Sequence, residues 1–267
     1  MYRFLVSPRW IAFHLLVIFG IVLMINLGFW QLRRLDQRQA FNAQVTSHID
    51  LPPEPLADVL EPGTDPAAIE WRYIVTAGTY LPDEELRVVN RSQGGLAGDM
   101  VVTPLLLADG RVLLVERGFV PLDTDVAPAP EGRVEILGRL RPSAERRRGQ
   151  LSDPSTGELT EVQRIDIPRL TAQLPGQPVD MYVELTQSRP AEAPPYPQPV
   201  AAPELTEGPH LSYAVQWFIF SVAIVVGWVL AVRKSLSARR GGPPTARPPD
   251  DGASTTEAAA TVPSSSR

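Results

Sequence analysis

The sequence has no cysteine, and among its 25 lysines and arginines only Lys234 is a lysine. The absence of cysteine excludes disulfides, thiolate metal sites, thiol catalysis and covalent attachment of a c-type haem. The formal net charge is −5, and no basic stripe interleaves with aromatic residues. A nucleic-acid partner is therefore not expected.

The sequence patterns of the common catalytic sites are also missing. The chain contains no GxSxG nucleophile elbow, no HExxH metal motif, no phosphate-binding Walker loop and no CxxC pair. Only three histidines are present, His14, His48 and His210. We therefore predict that the protein is not an enzyme.

Two long apolar runs without charge occupy residues 10–30 and 211–232. At about 1.5 Å per residue, each covers the roughly 30 Å hydrocarbon layer of a bilayer, so we predict two transmembrane helices. The first run ends in LGFWQLRRL without a small-x-small cleavage site, which favours an uncleaved anchor over a signal peptide. The leader, residues 1–9, is too short for an organellar transit peptide and suggests a bacterial plasma membrane.

The orientation in the membrane follows from the basic residues near the second run. Arg233, Lys234, Arg239 and Arg240 follow it, whereas residues 190–210 contain no lysine or arginine. Basic flanks favour the cytoplasmic side, so both termini are predicted to be cytoplasmic and residues 31–210 to lie outside. The arginines that follow the first run favour the opposite orientation, and the predicted orientation rests on the second run.

The central region, residues 31–210, shows mainly strand patterns. Helical spacing in residues 32–49 extends the first helix, and alternating β-branched runs follow in residues 71–141. Asp109-Gly110 predicts a type I′ hairpin turn, and Asp166 is a candidate N-cap of a short helix. The remaining predicted segments are a proline-rich linker at 51–66, a strand at 181–185, a proline-rich return at 188–209 and a disordered cytoplasmic tail at 233–267. The predicted fold class is an α+β membrane protein, with two transmembrane helices flanking a β-rich extracytoplasmic domain.

His14 and His210 are predicted to lie near opposite faces of the membrane, because about 24 Å of helix separates His14 from Trp30. They cannot share one metal, and a bis-histidine haem would require His48 to reach the membrane. His210 is instead a candidate single axial ligand of a haem that packs against Trp217 and Phe218. A plain interfacial anchor remains the alternative for His210. His14 is expected to hydrogen-bond within the helix pair.

Six short segments follow one another along the chain: LGFWQLRRLDQR (27–38), Gly78-Thr79-Tyr80, Thr103-Pro104-Leu105, VERGFVP (115–121), GRLRP (138–142) and HLSYAVQWF (210–218). In this order they resemble the Surfeit locus protein 1 family of cytochrome c oxidase assembly factors. The central signature departs from the family at two positions, where the family usually has Asn at Glu116 and Trp at Phe119.

The resemblance implies an assembly factor for an aa3-type oxidase that holds or presents haem a, in the manner of a chaperone in respiratory chain biogenesis. The implied partners are the oxidase catalytic subunit, haem a synthase and the lipid bilayer. Within this hypothesis the cofactor-binding residues are His210 as haem iron ligand, with Trp217, Trp30, Gln31, Arg33 and Arg34. Fold-forming turns, strand ends or a docking face are implied for Gly78, Thr103, Pro104, Arg117 and Gly118.

Alternative interpretations remain open from the sequence. Arg33 and Arg34 are either propionate contacts or arginines that snorkel to the headgroups. Arg117 either binds a partner or forms a salt bridge. The whole protein is alternatively a membrane-anchored scaffold or sensor with no cofactor, or an extracytoplasmic hydrolase.

Overall fold

The computed structural model describes residues 3–61 and 63–240. The chain divides into two compact units. The helical unit contains the residues up to Trp30 and those from Ser212 onward, and the β-rich unit is Gln31–Leu211. The predicted tail falls mostly at residues 241–267, outside the described part.

Along the chain, one long helix precedes the strands and a second long helix follows them. The helices are α1 (Pro8–Ile49), α2 (Leu56–Val59), α3 (Pro66–Ile69), α4 (Ile167–Leu170) and α5 (His210–Arg240). The strands are β1 (Glu54–Pro55), β2 (Tyr73–Tyr80), β3 (Leu86–Gln93), β4 (Leu96–Leu107), β5 (Val112–Pro121), β6 (Arg133–Pro142), β7 (Glu161–Val162) and β8 (Pro178–Arg189). Single 3₁₀ turns occur at Arg3–Val6, Pro82–Glu84 and Thr171–Gln173.

The helical unit is built from the apolar parts of α1 and α5. Both helices are long and apolar enough to cross a membrane, as the two uncharged runs predict. Gly28 makes their close approach feasible, since a Cβ at this position would lie 2.6 Å from the Phe218 ring. The neighbouring Phe29 contacts the same ring edge-to-face at 5.6 Å between centroids. Small against large packing of this kind joins helices in an apolar medium, where dispersion contacts dominate.

A polar contact joins α1 and α5 near the start of α1. The indole Nε1–H of Trp228 donates to Nδ1 of His14 at 2.9 Å, and the two rings lie 5.9 Å apart. Because Nδ1 accepts this bond, the proton of the neutral ring is on Nε2. The prediction that His14 hydrogen-bonds within the helix pair is confirmed.

Replacing Trp228 by phenylalanine is expected to destabilise the helix pair by about 1 kcal/mol, since it removes the donor and keeps an aromatic ring. Unfolding of the purified protein in mixed detergent micelles, followed by far-UV circular dichroism, measures the change. Trp30→Phe is the matched control, because Trp30 is 51% exposed. Equal losses in the two variants would contradict a contribution from the hydrogen bond.

The β-rich unit contains a closed ring of five strands. β2 pairs with β6 and also with β4, so the sequence of neighbours β2-β6-β8-β5-β4 returns to its start. β5 and β8 are parallel, and the other pairs in the ring are antiparallel. Alternate side chains of the ring fill its interior, among them Ile74, Leu105, Val115, Ile136 and Val183. Closure protects most strand edges from pairing with another chain.

A second core lies on the outer face of β3, β4 and β5. Segment 159–174, which includes α4, covers this face with Leu159, Ile165, Ile167 and Leu170. The predicted cap is present, since the Asp166 side chain accepts from the Arg169 backbone N–H at 3.2 Å. Because both faces of β4 and β5 are covered, these strands are almost continuously buried. Their apolar runs are typical of such two-sided burial.

The prediction of a type I′ turn at Asp109-Gly110 is wrong. The loop has three residues: Leu107 and Arg111 are joined by a backbone bond of 2.9 Å, and the Gly110 N–H donates to the Leu107 carbonyl at 3.0 Å. Gly110 has a φ of 83°, but Asp109 is not left-handed. The Asp109 carboxylate accepts from the Arg111 backbone N–H at 3.0 Å, which stabilises the longer turn.

Two further predictions for loop segments need correction. α5 continues to Arg240, so residues 233–240, predicted as part of the disordered tail, are helical. This stretch contains no glycine or proline, and the helix therefore has no stop signal before residue 241. The predicted linker 51–66 contains β1 and α2, and Leu56 and Val59 are buried in the core. The helix predicted at 32–49 is present as the second half of α1.

Candidate functional site

His210 is the first residue of α5, and its ring is oriented by a side chain from α1. Nδ1 of His210 lies 2.9 Å from Oε1 of Gln31, which is only 9% exposed. The carboxamide oxygen only accepts, so the ring carries its proton on Nδ1. Nε2 has no hydrogen-bond partner among residues 3–61 and 63–240, and its lone pair is available. A neutral imidazole fixed through its other nitrogen is the form in which histidine binds metals.

Arg38 positions the chain segment that precedes His210. Its guanidinium donates to the backbone carbonyls of Glu204 and Thr206, each at 2.9 Å. Arg38 follows Gln31 by seven residues, two helical turns, and therefore lies on the same side of α1. No role for Arg38 was predicted from the sequence. Its spacing from Gln31 within the LGFWQLRRLDQR segment is the signal that would have found it.

Arg33 and Arg34 are both exposed on α1. Arg34 donates to Oε1 of Gln37 at 3.1 Å, and Arg33 has no hydrogen bond or ion pair within the described part of the chain. Neither charge is neutralised by a carboxylate. On an α-helix the second residue after Gln31 lies on the opposite side and the third lies one turn further on, so only Arg34 is close to the side that carries Gln31. Propionate contacts stay a prediction for both.

Trp30 and Trp217 belong to the helical unit. Trp30 is 51% exposed, and the Trp217 ring contacts Phe220 edge-on at 5.9 Å between centroids. The indole Nε1 of Trp217 is buried and has no hydrogen-bond partner among the residues that the structure describes. Their role as walls of a cofactor site stays a prediction.

His48 is held away from this end of α1. Its Nδ1 lies 2.5 Å from the backbone carbonyl of Glu70, and 17 residues of helix, about 25 Å, separate it from Gln31. The bis-histidine alternative therefore finds no support. The described residues also contain no group of three or more His, Cys, Asp or Glu side chains placed to hold a metal ion.

The central signature residues meet at a buried arginine. The side chain of Arg117 is 0% exposed and lies between two carboxylates, with Nη1 2.9 Å from Glu85 and Nη2 2.6 Å from Glu192. Thr103 donates to the same oxygen of Glu85 at 2.7 Å, and the ring of Tyr80 lies 5.8 Å from the guanidinium carbon. Of the two interpretations left open for Arg117, the structure supports the salt bridge.

Tyr80 and Glu192 each retain a buried polar atom without a partner in the described part of the chain, the Tyr80 hydroxyl and Oε1 of Glu192. Burial and the nearby charge of Glu192 raise the pKa of Tyr80. The hydroxyl is therefore neutral throughout the physiological range.

Gly118 allows the proline-rich return segment to pair with β5. A Cβ at Gly118 would lie 2.0 Å from the carbonyl oxygen of Gln198, and its φ of 145° is strained for other residues. Phe119 and Gln198 exchange backbone hydrogen bonds of 2.7 and 2.8 Å. A Cβ at Gly78 would likewise lie only 2.5 Å from the carbonyl oxygen of Leu106. Both contacts agree with a fold-forming role.

A second charged cluster contains Glu116, which is 7% exposed and pairs with Glu184 across β5 and β8. Arg139 and Arg141 lie 2.9 and 3.1 Å from the Glu184 carboxylate. Burial, followed by the charge of Glu184, raises the pKa of Glu116 to about 7. Burial also raises the pKa of Glu184, against the effect of its arginines. Two buried carboxyl groups side by side cannot both ionise without a cost in stability.

Comparison with known proteins places these residues in a family. The model of the SURF1 family matches residues 18–222, which include Gln31, Arg38, Arg117 and His210. This chain belongs to the SURF1 family.

Individual SURF1 relatives match along most of the chain. An uncharacterized SURF1-like protein of Mycobacterium tuberculosis is 30% identical over 246 residues, which cover 89% of this chain and 88% of that protein. A SURF1-like protein of Rickettsia felis is 24% identical over 84% of this chain and 98% of its own length. The cytochrome oxidase assembly protein SHY1 of Saccharomyces cerevisiae is 30% identical over 110 residues, 40% of this chain and 27% of that protein.

The SURF1 match confirms the family that the sequence resemblance indicated. It extends over the segment after Trp30, the central signature and the start of α5. In this SURF1 protein the signature residues around Arg117 form a buried charged network in the β-rich unit, and Gln31 and His210 contact each other through a separate hydrogen bond.

Proposed function

We propose that this SURF1 protein takes part in the assembly of cytochrome c oxidase, by holding haem a at His210 and presenting it to the catalytic subunit. The observation that carries the proposal is the hydrogen bond from Nδ1–H of His210 to Gln31, which leaves Nε2 available for iron. The name of the yeast relative, an oxidase assembly protein, supports the assembly role.

The residues of the β-rich unit fit a haem as transported cargo. His210 supplies one nitrogen ligand whose tautomer is set by Gln31. Arg34, close to the side of α1 that carries Gln31, supplies a cationic group without a carboxylate partner, suited to a propionate. His210 would hold a bound haem a through Nε2, and the protein would supply only its binding and orientation.

A single protein ligand suits a carrier better than two. Release of the cargo then requires one iron–nitrogen bond to break, whereas a second axial histidine would slow transfer. His14 is engaged by Trp228, and His48 by the carbonyl of Glu70, so neither competes for the iron. One ligand and a mobile cargo are consistent with a protein that has no catalytic turnover.

We also propose that both long helices cross the plasma membrane of a bacterium, with the β-rich unit on the outer side. Arg233 and Lys234 follow the apolar part of α5, and basic residues favour the cytoplasmic side. Labelling of single introduced cysteines in intact cells tests this arrangement cleanly, since the natural chain has none. A cytoplasmic location of the β-rich unit would contradict it.

The test of haem binding is the absorption spectrum of the full-length protein, purified in detergent after co-expression with haem a synthesis. We expect a haem a band in the wild type and its loss in His210→Ala. His14→Ala and His48→Ala are the matched controls and should keep the band. Gln31→Leu should lower haem occupancy about tenfold, because the imidazole loses its orienting partner.

A colourless wild type, or an unchanged band in His210→Ala, would overturn the carrier function. If oxidase assembly in cells is also unaffected by His210→Ala, the protein is the cofactor-free scaffold or sensor instead. Hydrolase activity that depends on the β-rich unit would support the remaining alternative.

A further inference from the structure

A cleft of about 970 Å³ opens in the β-rich unit, far from His210. Its walls come from the end of β3, the end of β6 and the loops around residues 143–151 and 163–164. Five arginines and two glutamates line it: Arg91, Arg141, Arg146, Arg147, Arg164, Glu70 and Glu145. The protein as a whole has a net charge of −5, so this cleft concentrates the opposite charge.

Most of the lining arginines are held by backbone carbonyls. Arg91 donates to the carbonyl of Gln163 at 2.9 Å, and Arg146 donates to that of Gln150 at 3.1 Å. The Arg147 side chain has no hydrogen bond or ion pair in the part of the chain that the structure describes. A carbonyl fixes a guanidinium without neutralising its charge. Arg91, Arg146 and Arg147 form no ion pair within the described residues, and this rim also carries the carboxylate of Glu145.

The other two arginines are compensated and form the base of the cleft. Arg141 stacks on the Trp71 ring at 3.6 Å and pairs with Glu70 at 2.6 Å. Arg164 donates to the carbonyl of Leu151 and lies 3.8 Å from Asp153. The cleft thus has a rigid base and a cationic rim.

We propose that this cleft binds a short acidic segment of a partner protein, with its carboxylates on Arg91, Arg146 and Arg147. Guanidinium groups bind carboxylates through paired hydrogen bonds, and backbone carbonyls already orient those of Arg91 and Arg146. The volume is at the upper end of the range for small-molecule sites, which suits a peptide segment better than a single ion. The inference rests on the assembly part of the proposed function, which requires a protein partner, and not on haem binding.

The position of the cleft separates it from the His210 site. Glu70, which lines the cleft, is bonded through its carbonyl to His48 near the end of α1. Gln31 lies 17 residues earlier on the same helix, about 25 Å away. A haem bound at His210 cannot place its propionates in this cleft.

The test is the binding of a fluorescein-labelled hexaglutamate peptide to the full-length protein in detergent, at low salt, measured by fluorescence anisotropy. We expect saturable binding that weakens as salt is added, and no binding of a hexaglutamine peptide. The double variant Arg146→Ala/Arg147→Ala should lower the affinity about tenfold, in line with two exposed charge pairs.

Arg148→Ala is the matched control, because Arg148 is an exposed arginine of the same run that does not line the cleft. Arg91→Gln is a second variant, on a strand instead of the loop, and should also weaken binding. An equal effect of Arg148→Ala, or unchanged affinity in the other variants, would overturn the proposal. Preferential, Arg147-dependent binding of anionic phospholipid vesicles instead of the peptide would also overturn it.

The haem a band measured in the same variants separates the two proposals. The cleft variants should keep the band, and His210→Ala should keep peptide binding. If the peptide binds the cleft variants as tightly as the wild type while the haem band is intact, the cleft proposal alone is refuted. A colourless wild type that binds the peptide through Arg147 refutes the haem carrier and supports the cleft.

Discussion

Replacement of Arg117 by methionine is expected to lower the free energy of unfolding of the β-rich unit by about 3–5 kcal/mol. The substitution removes the cation between Glu85 and Glu192 and leaves two carboxylates without their partner in a buried site. The loss arises from these unpaired groups, because methionine replaces much of the side-chain volume. Thermal and denaturant unfolding of the full-length protein, with hydrogen exchange of the β5 amides, measures it.

Arg133→Met is the control for this prediction, since Arg133 is exposed on β6. It should change the free energy of unfolding by no more than about 0.5 kcal/mol. Adding Glu192→Gln to Arg117→Met should recover part of the loss, because one buried charge disappears. A loss as small as that of the control would show that the network contributes little.

Glu116→Gln is expected to stabilise the protein at pH 8 by about 3 kcal/mol and to leave it nearly unchanged at pH 4. Glutamine keeps the size of the side chain and removes a charge that is buried beside Glu184. Burial raises the pKa of Glu116 from 4.5 to about 7, and each unit is worth about 1.4 kcal/mol. Unfolding measured at several pH values gives the result.

The sign follows from proton binding. Between pH 4.5 and 7 the folded protein holds the Glu116 proton and the unfolded chain has lost it, so raising the pH destabilises the wild type across this window. The stability that protonated Glu116 contributes is fully present below pH 4.5 and is lost as the pH rises to about 7. The charges that face Glu116 are Glu184 on β8, Arg91 on β3, and Arg139 and Arg141 on β6.

Glu135→Gln is the matched control, because Glu135 is exposed on β6. The difference between Glu116→Gln and wild type should shrink steadily from pH 8 to pH 4, whereas the control should follow the wild type. A constant difference at all pH values would mean that packing, and not ionisation, explains the effect.

Elements with a strong local pattern could be predicted from the sequence. The uncharged runs predicted the apolar parts of α1 and α5, and alternating β-branched residues predicted the strands from β2 to β6. Asp166 was found because an N-cap depends only on the next three residues. These signals are all contained within one element.

Features that depend on distant residues could not be predicted in this way. The ring closes because Tyr80 of β2 pairs with Leu105 of β4, a register that no local pattern encodes. The burial of Leu56 within the predicted linker depends on the same closure. The turn at Asp109 is not the predicted type I′ turn, because the Asp109 side chain stabilises a loop one residue longer.

In the candidate site too, residues could be named from the sequence, but their contacts with distant residues could not. His210 was named from its place beside the second apolar run and Gln31 from the family resemblance, but their hydrogen bond joins residues 179 positions apart. The partners of Arg38, Arg91 and Arg146 are backbone carbonyls, which leave no mark in the sequence, and for Arg38 only the spacing from Gln31 indicates its side of the helix. Glu116 was recognised as a departure from the family, and only the pairing of β5 with β8 shows that it faces Glu184.

The Arg117 network also has a consequence for biosynthesis. The Glu192 carboxylate that pairs with the Arg117 guanidinium is synthesised 75 residues later, and Gln198, which pairs with β5, follows later still. A nascent chain that stops before these residues leaves a cation stranded in an unfinished barrel. Because domains fold as units, the β-rich unit is completed only after nearly all of its residues have left the ribosome. Until then, the unpaired strand edges of the incomplete barrel are open to aggregation.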